Sequence, residues 1–166
     1  MILIGLGANL PSAQWGPPAA TLDAALATFG TLGIEVLARS RFYESAPVPP
    51  SDQPWFVNAV AKVQTALGPE ALLQALLGLE ARFGRLREAP GASRALDLDL
   101  LAYGDLMTPA DAHPALPHPR LHARAFVLWP LTEIVPCWRH PRFGATAEEL
   151  RAALGGDQQV RPLDCP

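Results

Sequence analysis

Alternation of hydrophobic and polar residues predicts several short β-strands. Residues 2–7 (ILIGLG) form a short apolar run, and residues 34–45 (IEVLARSRFYES) alternate over a length that predicts one long strand. Residues 55–65 (WFVNAVAKVQT) predict another strand, in which Phe56 and Asn58 share one face. Its opposite face is expected to enter the core and consists of Trp55, Val57, Ala59, Ala61 and Val63.

Two carboxylates interrupt the apolar strand predicted around residues 96–100 (LDLDL). On a strand Asp97 and Asp99 point to one face and the leucines to the other, whereas on a helix the acids would lie about 200° apart. Two like charges on one face repel, and a hard divalent cation such as Mg²⁺ would relieve that repulsion. An edge strand with a solvated polar face explains the spacing equally well.

Apolar residues repeat at helical spacing in residues 19–30 and 68–84. Gly30 is expected to end the first helix, and Pro69 is expected to open the second, which ends near Gly84. The second helix is expected to bury Leu72, Leu73, Leu76, Leu77 and Leu79.

The resulting order is strand, helix, strand, strand, helix, strand, with a helical region at the C-terminus. This order predicts an α+β fold, namely a ferredoxin-like βαββαβ antiparallel sheet with helices packed on it plus a C-terminal helical extension.

Length and composition predict one globular domain over residues 1–166, in which 49% of the residues are hydrophobic and 17% are charged. The formal net charge of -3 argues against a general nucleic-acid partner. No apolar run approaches a membrane span, and the first residues lack the features of a signal peptide. Cys137 and Cys165 suggest a reducing compartment, although a disulfide between them stays open. We therefore expect a cytoplasmic monomer.

Basic side chains precede the acidic strand, and nearly all of them are arginines. Lys62 is the only lysine among 13 basic residues. Guanidinium groups grip phosphate with two parallel hydrogen bonds, so arginines beside a carboxylate pair indicate a site for a metal ion and a polyphosphate. A solvated helix end is the alternative for this group, which consists of Arg82, Arg85, Arg87 and Arg94.

Phe56 and Asn58 suit a flat heteroaromatic ligand, because the ring can stack on it while the amide reads donor and acceptor positions. A surface phenylalanine beside an asparagine near the strand end is the alternative. The segment GLGANL (5–10) has G-x-G but lacks the third glycine of a dinucleotide fingerprint, and no P-loop motif is present.

Five blocks occur in order: SRFYESAPV, DQPWFVNAV, EARFGRLR, RALDLDLLAYGD and LPHPRLHARAFVLWPLTEIVP. With IGLGANLP near the start, they resemble the 6-hydroxymethyl-7,8-dihydropterin pyrophosphokinases of folate biosynthesis over nearly the whole chain to Pro136. The resemblance implies a ferredoxin-like αβ sandwich that transfers pyrophosphate from ATP to 6-hydroxymethyl-7,8-dihydropterin and releases AMP.

The same resemblance implies roles for individual residues. The catalytic residues would be Arg85, Arg94, Asp97 and Asp99, with the two aspartates holding two Mg²⁺ ions. ATP would contact Glu80, Leu100, His118 and Arg124. The pterin would lie between two phenylalanine rings and contact Ser45, Ala46, Pro47, Val48, Phe56, Asn58 and Phe126.

The chain departs from the family pattern around the expected lid. The loop 88–93 is shorter by one residue than in the best-known members and lacks the tryptophan that covers the pterin there. Leu77, Pro49 and Pro119 stand where a glutamine, a glycine and an aromatic residue are expected. These departures bear on how the site closes, not on the reaction.

Two other functions use parts of the same pattern. A Mg²⁺-dependent phosphohydrolase would employ the same acids on another substrate and would release phosphate or ADP. A ferredoxin-like RNA-binding module would need exposed aromatic residues on its central strands and a basic face, whereas this chain is acidic and carries a carboxylate pair.

Overall fold

The computed structural model describes residues 1–84 and 95–163, and this part of the chain forms a six-stranded sheet with four α-helices. The strands are β1 (Ile2–Ala8), β2 (Ile34–Arg39), β3 (Tyr43–Ser45), β4 (Phe56–Thr65), β5 (Asp97–Tyr103) and β6 (Val160–Pro162). The helices are α1 (Pro18–Thr28), α2 (Pro69–Arg82), α3 (Ala125–Ile134) and α4 (Ala147–Ala152). Within these residues no helix is both long enough and apolar enough to cross a membrane.

The sheet is antiparallel, with strand order β5-β1-β4-β3-β6 and with β2 also paired to β4. Strand β1 lies between β4 and β5, so the middle of the sheet is set by its register with both neighbours. The predicted combination of an antiparallel sheet with separate helices is confirmed.

Two apolar clusters cover the two faces of the sheet. On the first face, the alternate residues of β1, β4 and β5 pack against α1 and α2, which contribute Leu22, Ala25, Leu72, Leu76 and Leu79. On the second face, α3 and α4 pack around Leu3, Val60 and Leu101. Burial of each large apolar side chain contributes roughly 1.5–3 kcal/mol, so both clusters stabilise the register of the sheet.

The single long strand predicted for residues 34–45 is wrong, because the chain forms β2 and β3 with a break at residues 40–42. At the break, the backbone N–H of Ser40 donates to the carbonyl of Val60 at 3.0 Å. The N–H of Val60 donates to Oγ of Ser40 at 3.1 Å. A side chain thus takes the place of a backbone acceptor, and the regular ladder ends there.

The helix boundaries match the predictions except at the end of α1. A 3-10 turn over Phe29–Leu32 continues this helix past Gly30, and Gly33, with φ of 72°, follows as its left-handed cap. Helix α2 starts at Pro69, and Gly84 beyond its end has φ of 85°.

Three of the five leucines expected to be buried in α2 are buried, namely Leu72, Leu76 and Leu79. Leu73 and Leu77 are only half-buried. Glu80 takes a buried position on this face, which periodicity alone did not predict.

The C-terminal extension is not wholly helical. It contains α3 and α4 but ends in β6, which pairs with β3 through Tyr43↔Pro162 and Ser45↔Val160. A three-residue strand that contains a proline carries almost no sequence signal, and only the free edge of β3 gives it a partner. Cys137 is an exposed free thiol, and Cys165 lies outside the described residues.

Helix α3 is tied to β3 at its C-terminal end. Oε2 of Glu133 accepts a hydrogen bond from the Tyr43 hydroxyl at 2.7 Å and one from Nε of Arg41 at 3.1 Å. These bonds to a carboxylate are of the stronger, charge-assisted kind. They fix the helix across the second face of the sheet.

Candidate active site

The floor of the candidate site is a row of residues that crosses three strands. Gly7 of β1 pairs with Asp97 of β5 on one side and with Asn58 of β4 on the other. Directly paired residues of antiparallel strands point to the same face, so a carboxylate and an amide flank a residue without a side chain. The next row on this face consists of Asp99, Gly5 and Val60.

Gly7 keeps the space between these polar groups open. A Cβ at this position would lie 3.3 Å from Oδ1 of Asn58 and 4.0 Å from Cβ of Asp97. In the sequence this glycine is part of an incomplete dinucleotide motif, and nothing there indicates its role between Asp97 and Asn58. The signal for it is a small residue opposite polar positions in both neighbouring strands, which becomes visible once the register is known.

Asp99 lies beside Arg124, the residue just before α3. Asp97 and Asp99 are half-buried, and Nη1 of Arg124 lies 3.5 Å from Oδ2 of Asp99. The Arg124 side chain is only 18% exposed, and its Cζ lies 5.3 Å from the centroid of the Phe126 ring. Arg124 therefore links the carboxylate pair to one of the two predicted stacking rings.

The donor set fits a magnesium ion that arrives with a nucleotide. Among the residues that the structure describes, no group of three or more His, Cys, Asp and Glu side chains could hold a metal ion. Mg²⁺, however, is commonly bound through one or two carboxylates, with waters and substrate phosphates as its other ligands. Asp97 and Asp99, two hard oxygen donors on one face, meet that requirement.

Glu80 of α2 supports the acidic strand. Its side chain is 1% exposed, and Oε1 accepts a hydrogen bond from the backbone N–H of Leu98 at 2.7 Å. Leu98 lies between Asp97 and Asp99, so Glu80 fixes the strand segment that presents both acids. The predicted contact of Glu80 with ATP stays a prediction.

Leu100 cannot contact a nucleotide through its side chain, because this lies in the core on the first face and is 4% exposed. Any contact with ATP would come from its backbone. That prediction also stays open.

His118 lies near Asp99 and Arg124, with which it interacts electrostatically. Its backbone N–H donates to the carbonyl of Leu101 at 2.8 Å, and its Nδ1 accepts from the N–H of Arg120 at 3.2 Å. Desolvation lowers the pKa of His118, and it outweighs the opposing attraction of Asp99. The lowered pKa favours the uncharged ring, whose proton lies on Nε2 because Nδ1 accepts from Arg120.

Three residues predicted to bind the pterin lie together at the junction of β3 and β4. Asn58 is 5% exposed, and its Nδ2 donates to Oγ of Ser45 at 2.9 Å. Ser45 pairs with Phe56 across the two strands, and the Phe56 ring is half-buried. Because Nδ2 of Asn58 donates to Ser45, the other amide atom, Oδ1, faces the open space above Gly7.

The loop from β3 to β4 is anchored by Asn9, which was not predicted. Asn9 is 2% exposed, and its Nδ2 donates to Oε1 of Gln53 at 3.2 Å and to the carbonyl of Pro54 at 3.3 Å. A lone asparagine after a strand gives no sign of a partner 44 residues away. The predicted pterin contacts Ala46, Pro47 and Val48 open this loop next to Ser45.

Arg85 and Arg94 lie outside the described residues, and so does the loop 88–93 with its departures from the family pattern. The other predicted site residues lie on β3, β4 and β5, in the loop between β3 and β4, on α2, in the segment before α3 and at its first turn.

A carboxylate pair with an arginine and a histidine, on the same sheet face as Asn58 and Phe56, is typical of an enzyme that handles a magnesium nucleotide and a second, planar substrate. A family profile described as 7,8-dihydro-6-hydroxymethylpterin-pyrophosphokinase (HPPK) matches residues 3–136. The chain belongs to this family.

Curated relatives agree with this assignment. A 2-amino-4-hydroxy-6-hydroxymethyldihydropteridine pyrophosphokinase from Synechocystis sp. is 40% identical over 149 residues, which cover 89% of this chain and 73% of the relative. A protein of the same name from Pseudomonas aeruginosa is 39% identical over 153 residues, which cover 92% of this chain and 90% of the relative.

Solved structures support the fold. A structure of HPPK-DHPS in complex with substrates superposes with a TM-score of 0.66 at 11% identity, over 92% of this chain and 43% of that chain. Wild-type HPPK-DHPS from Plasmodium falciparum gives a TM-score of 0.65 at 12% identity, over 91% of this chain and 42% of the other. This chain therefore spans less than half the length of those two proteins.

We expect Gly7→Ala to weaken binding of a pterin, the ligand implied by the sequence resemblance, about tenfold, because the new methyl group would crowd Oδ1 of Asn58. The fold should persist, since alanine is tolerated in a strand. Calorimetric titration measures the affinity, and Gly78→Ala is the matched control because a Cβ there would meet no atom within 4 Å. Wild-type affinity in Gly7→Ala would show that the pterin does not bind in the space above Gly7.

Proposed function

We propose that this chain transfers pyrophosphate from ATP to 6-hydroxymethyl-7,8-dihydropterin and releases AMP. Membership of the HPPK family and relatives of that activity at about 40% identity support the assignment. The structural observation that carries it is the row of Asp97, Gly7 and Asn58. This row presents a group suited to a metal ion and a group suited to a pterin on one floor, with one residue between them.

The pterin would be held between the rings of Phe56 and Phe126. Asn58 would read the amide edge of the pterin through Oδ1, which can accept a hydrogen bond from a ring N–H or an amino group. The chain from Ser45 to Val48 would contribute backbone contacts. The support for this arrangement is the Ser45–Asn58 hydrogen bond, which orients the amide before any ligand arrives.

The triphosphate would lie over β5 and beside the N-terminal end of α3. Asp97 and Asp99 would hold two Mg²⁺ ions, which when bound would offset the negative charge of the phosphates. Arg124 and the neutral His118 would donate to phosphate oxygens, since both lie next to Asp99. Arg85 and Arg94 would neutralise the transferring group, in line with the family resemblance.

The nucleotide base would meet the free edge of β5. The N–H of Leu98 points away from β1, because it is bonded to Glu80 on that side. Backbone groups of alternate residues point to the same side of a strand, so those of Leu100 point toward this edge as well. Leu100 would thus line the nucleotide side through its backbone, and the buried Glu80 would hold this edge through its bond to Leu98.

The reaction forms a bond between the hydroxymethyl oxygen of the pterin and the β-phosphorus of ATP. The bond from the β-phosphorus to the oxygen shared with the α-phosphate breaks, its electron pair leaves with AMP, and the hydroxyl proton passes to solvent. Such a transfer depends on alignment and on neutralised charge more than on a strong base. The described side chains would supply both, through Phe56, Phe126 and Asn58 and through Arg124.

Residues 1–166 are proposed to form one domain with a ferredoxin-like sheet. If β2 and β3 count as one interrupted strand, the order up to β5 becomes βαββαβ, which supports this topology. The absence of a nucleic-acid partner, the monomeric state and the cytoplasmic location stay predictions from the sequence.

Product analysis tests the proposed function directly. Incubation with Mg²⁺, ATP and 6-hydroxymethyl-7,8-dihydropterin should yield AMP and the pterin pyrophosphate in equal amounts, which chromatography separates. Without the pterin, AMP should not accumulate, because release of AMP requires the acceptor. Formation of ADP or inorganic phosphate instead would indicate a phosphohydrolase or another kinase and would contradict the proposal.

Replacement of Asp97 or Asp99 by asparagine should lower the rate on the order of 10²-fold, because a ligand charge is lost at nearly constant volume. Neither side chain faces the first core cluster, so circular dichroism should show an unchanged fold. Asp105→Asn, an exposed acid just after β5, is the control and should retain full activity. Unchanged AMP release in both active-site variants would refute the metal role.

Phe56→Ala and Phe126→Ala should each weaken pterin binding by about 1 to 3 kcal/mol, because a stacking surface is lost. Affinity for a magnesium complex of a non-hydrolysable ATP analogue should change little. Phe143→Ala, which removes a ring that is 50% exposed and belongs to neither proposed wall, serves as the control in the same titrations. Equal losses for both ligands would mean misfolding rather than a missing stacking partner.

A further inference from the structure

The side chain of Gln158 holds the turn that begins α3. Its Oε1 accepts a hydrogen bond from the backbone N–H of Ala125 at 2.9 Å, and its Nε2 donates to the carbonyl of Ala123 at 2.9 Å. The two bonded backbone groups flank Arg124. A single amide thus grips the chain on both sides of one predicted phosphate ligand.

The N-terminal end of α3 lacks a cap of its own. Arg124 occupies the N-cap position with φ of -115° and ψ of 111°, and its side chain makes no capping hydrogen bond. The first N–H groups of a helix need outside acceptors, and Gln158 supplies one for Ala125 from 33 residues away. An N–H can only donate and a carbonyl can only accept, so both ends of the amide are used.

This turn sets the positions of two side chains that are predicted to bind the substrates, Arg124 and Phe126. Arg124 extends from the turn to Asp99. Its guanidinium group lies over the ring of Phe126, two residues further along the chain. A shift of the turn would move the phosphate ligand and the stacking ring together. Displacement of about 1 Å in a binding group can cost as much as 10²-fold in rate.

The segment that carries Gln158 is also fixed to strands β3 and β4. These strands form the wall of the proposed pterin site that carries Phe56, and the start of α3 forms the opposite wall, which carries Phe126. Strand β6 follows directly and pairs Val160 with Ser45. Arg161 donates from Nη2 to Oε2 of Glu44 at 2.7 Å, and its Cζ lies 5.0 Å from the ring of Trp55, the residue before Phe56. Residues 158–162 therefore connect the β3–β4 wall to the start of α3, although they lie beyond the range 3–136 matched by the family profile.

We propose that Gln158 is a positioning residue for this reaction, which sets the distance between the two walls of the pterin site by holding the turn at Arg124. This inference rests on the proposed function, because it assumes that Phe126 stacks on the pterin. This role requires no contact between Gln158 and a substrate. It acts through the backbone on either side of Arg124.

The test compares Gln158→Leu with Gln159→Leu in the full-length chain. Gln158→Leu keeps a similar volume and removes both hydrogen bonds, and it should weaken pterin affinity about tenfold by calorimetry. Gln159→Leu makes the same change at the next residue, where the side chain is exposed, and should bind the pterin like the wild type. Unchanged affinity in Gln158→Leu would overturn the proposal.

A double-mutant cycle separates positioning from general destabilisation. If Gln158 acts through Phe126 and Arg124, Gln158→Leu should retain less than half of its effect on pterin affinity in a Phe126→Ala background. A purely structural role would give additive losses and would overturn the proposal. If Gln158→Leu does not fold at the assay temperature, Gln158→Glu replaces it in the cycle, since a carboxylate still accepts from Ala125 but cannot donate to Ala123.

The Phe126→Ala arm also keeps this inference apart from the proposed function. A loss of pterin affinity in Phe126→Ala with none in Gln158→Leu would retain the site and reject the role of Gln158. Wild-type affinity in Phe126→Ala would reject the stacking site itself and the positioning role with it.

Discussion

The register of β1 between β4 and β5 is the constraint on which the site depends. It sets Gly7 opposite both Asp97 and Asn58, and Gly5 opposite Asp99. A slip by one residue would turn every side chain of a strand to the other face, which would bury the acids in the first core cluster. The two apolar clusters therefore do more than stabilise the sheet, because they also determine which face carries the polar groups.

The acidic strand is held by contacts on different sides. The buried Glu80 fixes the backbone of Leu98 from α2, while Arg124 meets Asp99 from the second face. Two carboxylates on one face of a strand repel each other unless positive charge or a cation offsets their repulsion. The arrangement therefore favours a ligand that brings metal ions with it, which a magnesium nucleotide does.

Local patterning predicted much of the fold, since strand and helix periods, Pro69 and Gly84 are signals within a few residues of where they act. The break at Ser40 and the strand β6 depend on partners far away in sequence and were not predicted. The same difference holds for the site. The LDLDL alternation placed two acids on one face, whereas the roles of Gly7 and Asn9 follow from pairing across strands and from a loop contact.

The carboxylate pair, the two phenylalanines and Asn58 are proposed to form one site. Replacement of Mg²⁺ by paramagnetic Mn²⁺ tests it, through proton NMR of a bound pterin in the presence of a non-hydrolysable ATP analogue. Relaxation near a paramagnetic ion falls steeply with distance, so the hydroxymethyl protons should broaden most and the opposite edge of the pterin least. Absent or uniform broadening of the pterin signals would contradict the account, because it would place the metal ions and the pterin at separate sites.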